Sequence, residues 1–206
     1  MTTRAQRPIA LAMTGASGGQ YGLRLLECLI RAQVPVYLML SEAARIVLSM
    51  ECGLSLPKRP ADVQREFTAR YGAAEGQLQV FGEQEWTAPV ASGSARVRAM
   101  VICPCTTGCL SAVAVGASDN LIERAADVML KEHRKLILVV RETPLSAVHL
   151  RHMLTLADMG VVMMPAAPGF YHAPKSLDDI VDFMVARVLD QLDLPQTLLK
   201  PWGKND

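Results

Sequence analysis

Ile9-Ala10-Leu11-Ala12-Met13-Thr14-Gly15-Ala16-Ser17-Gly18-Gly19 is the stretch that decides the fold. Five apolar or small residues run into a turn of Gly, Ser and Gly, and Tyr21, Leu25, Leu26 and Leu29 then recur at helical spacing. That order predicts a buried strand, a tight loop and a helix start. Glycines at 15, 18 and 19 let the backbone approach a ligand closely. The N–H groups and dipole of the following helix favour an anion there, and the Ser17 hydroxyl adds a donor. A phosphate is the expected guest.

Other readings of this loop compete. The loop could be a glycine-rich turn with no ligand. A dinucleotide site is disfavoured, because Gly15-Ala16-Ser17-Gly18-Gly19-Gln20 does not fit G-x-G-x-x-G. The next strand also ends in Leu38-Met39-Leu40 with no acid for a ribose, although Glu42 lies just beyond. Gly15-Ala16-Ser17-Gly18-Gly19 also matches the G-x-S-x-G nucleophile elbow. An elbow takes part of its oxyanion hole from an earlier strand–helix loop, and only eight residues precede this strand.

Bulk properties narrow the class. The 206 residues suit one α/β domain with a full core. Half of them are apolar and the net charge is +1, which suggests no nucleic-acid partner. No apolar run reaches membrane-spanning length, and residues 1–7 are too few and too polar for a signal peptide. Five cysteines, an odd number set mostly in apolar segments, fit reduced thiols in the cytoplasm.

Outward from the glycine loop, residues 34–40 read as a second strand, with Ser41 as the N-cap of a helix to about residue 50. Ser41 could also face a ligand. Glu51, near that helix's C-terminus, opposes the dipole; it is either a solvated end residue or an acid kept for function. Residues 54–97 are the least informative. A short helix at 63–71 and a strand at 77–81 are expected within an excursion across the active-site face or a subunit contact. A strand at 100–103 leads into Pro104-Cys105-Thr106-Thr107-Gly108-Cys109, a second loop of small hydroxylated residues opening a helix. Cys103, Cys105 and Cys109 invite a zinc reading, but no Cys-x-x-Cys pair and no histidine at ligand spacing accompany them.

Ala117-Ser118-Asp119-Asn120 caps a helix running to about Lys131, and Arg124 and Lys131, seven apart, share one face of it. The fourth core strand, 135–140, runs into Arg141-Glu142-Thr143-Pro144. That Arg and Glu form either a modest ion pair or a phosphate clamp beside a general acid/base. A helix at 146–159, a strand at 161–164 and a stiff loop presenting Tyr171 follow; His172 reads as a loop residue rather than a base. Ser176 caps the last helix. Its Asp178-Asp179-Ile180-Val181-Asp182 matches a metal-dependent prenyl diphosphate motif, but acids in a first turn serve the dipole. Five strands alternating with helices imply a three-layer α/β domain with a parallel, flavodoxin-like or Rossmann-like sheet. The polar oddities all fall at strand carboxyl ends, where such sheets bind ligands.

The segments Thr14-Gly15-Ala16-Ser17-Gly18, Cys-Pro-Cys-Thr-Thr-Gly from 103, Val140-Arg141-Glu142-Thr143-Pro144-Leu145 and Pro165-Ala166-Ala167-Pro168-Gly169-Phe170-Tyr171 resemble the UbiX-type flavin prenyltransferases. The match covers most of the chain in order and is weakest over 54–97. The resemblance implies transfer of a dimethylallyl group from dimethylallyl monophosphate to reduced FMN, with new bonds at N5 and C6 and no metal. The product would serve a UbiD-type decarboxylase, often in ubiquinone synthesis. A homo-oligomer, a dodecamer with sites at subunit interfaces, is implied as well. Gly15, Ala16, Ser17, Ser41, Thr106, Thr107, Gly108, Cys109 and Arg141 would hold FMN. Tyr171 and Arg187 would hold the prenyl phosphate, with Arg124 and Lys131 arriving from adjoining subunits and Trp202 as a cap. Glu51, Glu142, Ser17 and Lys131 form the implied catalytic set. Residues 1–8 are expected to be flexible, and 193–206 to be a tail reaching a neighbour or the active site. Two rivals stand beside this reading. One is an FMN-dependent decarboxylase of the cysteine-peptide type, which should carry a histidine near the flavin, although none precedes position 133. The other is a flavin carrier with no chemistry.

Overall fold

The computed structural model describes residues 7–200 and Gly203. Among them, six parallel strands form one sheet: β1 Ile9–Met13, β2 Val36–Leu40, β3 Leu78–Phe81, β4 Ala99–Cys105, β5 Lys135–Val140 and β6 Val162–Pro165. Their spatial order is β3-β2-β1-β4-β5-β6, the Rossmann arrangement. The helices are α1 Gly19–Arg31, α2 Glu42–Cys52, α3 Pro60–Tyr71, α4 Thr107–Val115, α5 Leu121–Lys131, α6 Ala147–Asp158 and α7 Leu177–Gln191.

The central strands are buried on both faces, hence their near-continuous apolar runs. Ile9, Leu11 and Met13 of β1 face a core shared with α1, α2, α3 and α7. Ala10 and Ala12 face the opposite core, built with α4, α5 and α6. Connections from β1 and from β4 leave in opposite directions, so a crevice opens between the loops that follow them.

Residues 54–97 are built into the domain instead of forming an excursion. Val63 and Phe67 of α3 are fully buried, and β3 adds to β2 as an edge strand. Gln77, just before β3, donates to the Ile30 and Val34 carbonyls at 2.8 and 3.2 Å and accepts from Ala74 N–H at 2.9 Å. Only the stretch from 82 onward is irregular, with two 3-10 turns at Pro89–Ala91 and Gly93–Ala95. At the N-terminus, the Pro8 carbonyl accepts from Arg98 N–H at 2.8 Å. The tail turns back on its own subunit: Leu194 is buried, and Leu198 and Leu199 pack on the α1–α7 core.

Helix α6 buries only Leu156 and exposes Val148, Leu150 and Leu154, with Met159 just past its end. No helix among the described residues is long and apolar enough to cross a membrane.

Candidate active site

The glycine loop holds an anion, but one that the protein supplies. Glu51 Oε2 accepts the Gly18 amide at 2.8 Å and the Gly19 amide at 3.3 Å. Glu51 opposes the dipole of its own helix, yet its carboxylate lies on the positive end of α1. This corrects the expectation that those two amides await a phosphate. Burial works to raise the Glu51 pKa; the Ser17 hydroxyl, both amides and the charge of Arg141 outweigh it and hold the carboxyl below its ordinary range. Gly18 has φ +102°, a conformation that only glycine adopts freely. At Gly15, an added Cβ would fall on the Ala43 methyl, so β1's loop and α2 are as close as glycine permits.

Beside this loop, at the switch point, lies a cleft of about 160 Å³ lined by Gly15, Ser41, Thr106, Cys109, Asn120 and Glu83 among others. Three helices begin there. Ser41 Oγ accepts from Ala44 N–H at 3.0 Å, Thr106 Oγ1 from Cys109 N–H at 3.1 Å, and Asn120 Oδ1 from Glu123 N–H at 3.0 Å. Ser41 is therefore both helix cap and cleft lining. Three positive helix ends with hydroxyl and amide groups around one space favour an anion bearing hydroxyls.

Arg141 and Glu142 follow β5 on the same rim, and no ion pair joins them among the described residues. Glu142 accepts from Thr143 N–H at 3.0 Å and from the Thr107 hydroxyl at 3.4 Å. Thr107 is thereby tied to the acid. Arg141's charge is felt instead at Glu51 and at the Tyr21 phenol.

The cysteines are not arranged as ligands. Ala99, Val101 and Cys103 face one core, Met100 and Ile102 the other. The register shifts between Ile102 and Cys105, which inverts the alternation and turns Cys105 to the face opposite Cys103. Burial pushes the Cys103 thiol up to about 12; a hydrogen bond with Cys109 and burial raise Cys105 well above its ordinary value. Among the described residues no group of three or more His, Cys, Asp or Glu could hold a metal ion.

Tyr171 sits on the rim after β6, edge-on to Phe183 at 5.7 Å. With His172, Lys175, Leu198 and Leu199 it lines a cavity of about 640 Å³ between the loop and the returning tail. The remaining cations lie elsewhere in the chain. Arg124, in the first turn of α5, pairs with Asp127 at 2.6 Å and donates to the Ala91 carbonyl at 3.1 Å. Lys131 ends α5 beside Glu132, and Arg187 pairs with Asp190. At about 1.5 Å per residue, Lys131 is roughly 15 Å down α5 from the rim, at the sheet's amino edge. Arg187 follows Phe183, on which Tyr171 packs, by one turn of α7. Trp202 lies outside the described residues.

The Flavoprotein family model matches residues 1–189. Flavin prenyltransferase UbiX of Pseudomonas aeruginosa is 57% identical over 196 residues, covering 95% of this chain and 94% of that one. The UbiX of Alkalihalophilus pseudofirmus is 46% identical over 204 residues, covering 99% and 100%. The chain belongs to the UbiX family. UbiX-family structures share its fold. The crystal structure of AnUbiX (PadA1) in complex with FMN and dimethylallyl pyrophosphate superposes with a TM-score of 0.85 at 38% identity, covering 98% of this chain and 100% of that one. The dodecameric FMN-dependent UbiX-like decarboxylase from Escherichia coli O157:H7 gives 0.84 at 37% identity, covering 96% and 100%.

Two residues at this UbiX-family rim escape sequence reasoning. Thr14 is buried; its hydroxyl donates to the Pro104 carbonyl at 2.9 Å and accepts from Thr106 N–H at 2.8 Å, joining the loops after β1 and β4. A lone hydroxyl ending an apolar strand was its only signal. Glu83 accepts from Glu42 N–H at 3.3 Å through Oε2 and from Leu121 N–H at 2.8 Å through its carbonyl, linking the starts of α2 and α5. Nothing in its irregular segment marks it out.

Proposed function

We propose that this protein is a flavin prenyltransferase that moves the dimethylallyl group of dimethylallyl monophosphate onto reduced FMN, at N5 and C6, and releases phosphate. The observation that carries the reading is Glu51, an ionised carboxylate fixed by Ser17 and the glycine loop on the rim between the switch-point cleft and Arg141. The identity to prenyltransferases of the family supports it.

The switch-point cleft fits the phosphate and polyol end of FMN. Gly15, Ala16, Ser17, Ser41, Thr106, Thr107, Gly108, Cys109 and Arg141 would hold the nucleotide. Reduced FMN, as substrate, supplies the electron-rich nitrogen and carbon that take the allyl group. In the donor the bond between the allylic carbon and oxygen breaks and the oxygen keeps the electron pair. Negative charge therefore grows on the phosphate, and Tyr171, Arg187, Arg124 and Lys131 stabilise it. Apolar walls, with Trp202 as a cap, keep water from the allyl cation. N5 loses its proton as it bonds the allylic carbon. The remaining C=C bond then takes up a proton from the phosphate side through Glu142, and its tertiary carbon bonds C6. The carboxylate of Glu51 accepts the proton that C6 gives up.

Lys131 lies at the amino edge, so it serves, with Arg124, the site of an adjoining subunit. The reading therefore includes a homo-oligomer, a dodecamer, with its sites at subunit interfaces and the apolar face of α6 covered. The product passes to a UbiD-type decarboxylase. Buried protonated thiols suit a reducing cytoplasm.

The test is anaerobic incubation of the purified protein with reduced FMN and dimethylallyl monophosphate in the presence of EDTA, followed by mass spectrometry of the flavin. A flavin heavier by one five-carbon unit, with one phosphate released per flavin, is expected. Unchanged flavin mass overturns the reading. Glu142→Ala should keep FMN and lose turnover; loss of FMN itself would move Glu142 to a binding role.

A further inference from the structure

Glu132, the residue after the last turn of α5, lays its carboxylate on Gly93. A Cβ added at Gly93 would fall on the Glu132 Oε1 and Cδ atoms. The φ of Gly93 is not positive, so the backbone there does not call for glycine; the absent side chain is the space that the carboxylate fills. Lys131 Nζ donates to Glu132 Oε1 at 2.6 Å. On the other side Arg134 Nη2 lies 3.5 Å from Glu132 Oε2 and donates to the Gly93 carbonyl. At the far end of α5, Arg124 Nε donates to the Ala91 carbonyl at 3.1 Å. The turns at Pro89–Ala95 are thereby pinned along α5 at both of its ends.

An exposed ion pair ordinarily contributes little, because two long side chains must give up their freedom to make it. Here one partner is fixed beforehand. Gly93 and Arg134 seat the Glu132 carboxylate, so only the lysine is ordered when the pair forms. The hydrogen bond and charge of Lys131 hold the Glu132 carboxyl below its ordinary range, with smaller help from Arg134 and His133. A lysine ammonium is a point charge on a flexible four-carbon stem with three rotatable donors. Unpaired, it would sample many positions; bonded to Glu132, it keeps one place and still has two N–H groups to offer. Two cations around one carboxylate leave the group net positive, so it still attracts an anion.

We propose that Glu132 is a positioning residue: seated on Gly93, it holds the Lys131 ammonium at the point from which Lys131 reaches the phosphate in an adjoining subunit's site. Glu132 itself touches no substrate and acts only through Lys131. The contact of Lys131 with phosphate rests on the prenyltransferase reading; the seat of Glu132 on Gly93 does not.

Calorimetric titration of the FMN-loaded protein with inorganic phosphate, together with steady-state kinetics, tests it in Glu132→Ala, Glu132→Gln, Lys131→Ala and the double variant Lys131→Ala/Glu132→Ala. Glu132→Ala should weaken phosphate binding, and lower kcat/KM for dimethylallyl monophosphate, by about fivefold, the upper end for an exposed ion pair. FMN content and thermal midpoint should stay as in wild type. Glu132→Gln, which keeps an acceptor for Lys131, should recover part of the loss. Once Lys131 is alanine, Glu132→Ala should cost nothing further, whereas a merely structural role would multiply the two losses. Glu132→Ala or Lys131→Ala binding phosphate like wild type, a Gln variant as weak as Ala, or a further loss in the double variant each overturn the proposal. A crystal of wild-type protein with FMN and phosphate gives an answer independent of variant folding: Lys131 Nζ must lie within hydrogen-bond distance of both Glu132 and the phosphate. The expected phosphate pattern without any prenyl transfer would leave the positioning role intact and remove the prenyltransferase reading alone.

Discussion

Glu51 Oε2 lies 2.8 Å from the amide nitrogen of Gly18, so a carboxylate from the last turn of α2 completes the first turn of α1. The loop that most resembles a phosphate cradle is therefore already neutralised, and on the proposed reading FMN's phosphate goes to the starts of α2, α4 and α5.

Glu51 should make stability depend on pH in one direction. Its carboxyl is held below the ordinary glutamate value in the folded chain, so its contribution is present above about pH 4.3 and is lost as the pH falls through the lower folded value. Glu51→Gln should be less stable than wild type by about 0.3–1 kcal/mol at neutral pH, towards the lower end for so exposed a group. Thermal unfolding of both proteins at matched subunit concentration should show the gap closing on acidification. A gap of constant size would separate Glu51 from the helix start.

Thr14→Val keeps the shape and removes the hydroxyl that spans two loops. The Thr106 amide is then left buried without its partner, a loss of about 1–3 kcal/mol. Thr14→Ser should retain most of the stability. Denaturant titration measures the cost, and FMN content should fall with Thr14→Val because Thr106 opens the helix that lines the cleft.

Cys103 and Cys105 should resist alkylation in the native protein at neutral pH, being buried and far from their thiolate forms. Mass spectrometry after timed iodoacetamide exposure should find them labelled only on unfolding. Cys28 and Cys52, half-buried, should react first. Early labelling of Cys103 would contradict the core placement of β4.

Strand ends could be read from the sequence because apolar runs give way abruptly to Gly, Ser and Thr, and the rim positions of Ser17, Arg141 and Tyr171 followed from that. Glu51's partner could not be read, since Gly18 and Gly19 are more than thirty residues away from it in sequence and backbone amides leave no signature. Cys103 and Cys105 looked alike until the register shift in β4 turned them to opposite faces. The edge strand β3 is four residues long, too short for alternation to stand out from the polar segment around it.

Lys131 stands at the far end of α5 from the cleft that its own chain builds. If Lys131 serves a neighbour's site, as proposed, a subunit lacking Lys131 and a subunit lacking Glu142 carry defects belonging to different sites. Assembled together from denatured mixtures, the two inactive variants should regain part of the wild-type turnover that neither shows alone, because some junctions would receive an intact contribution from each side.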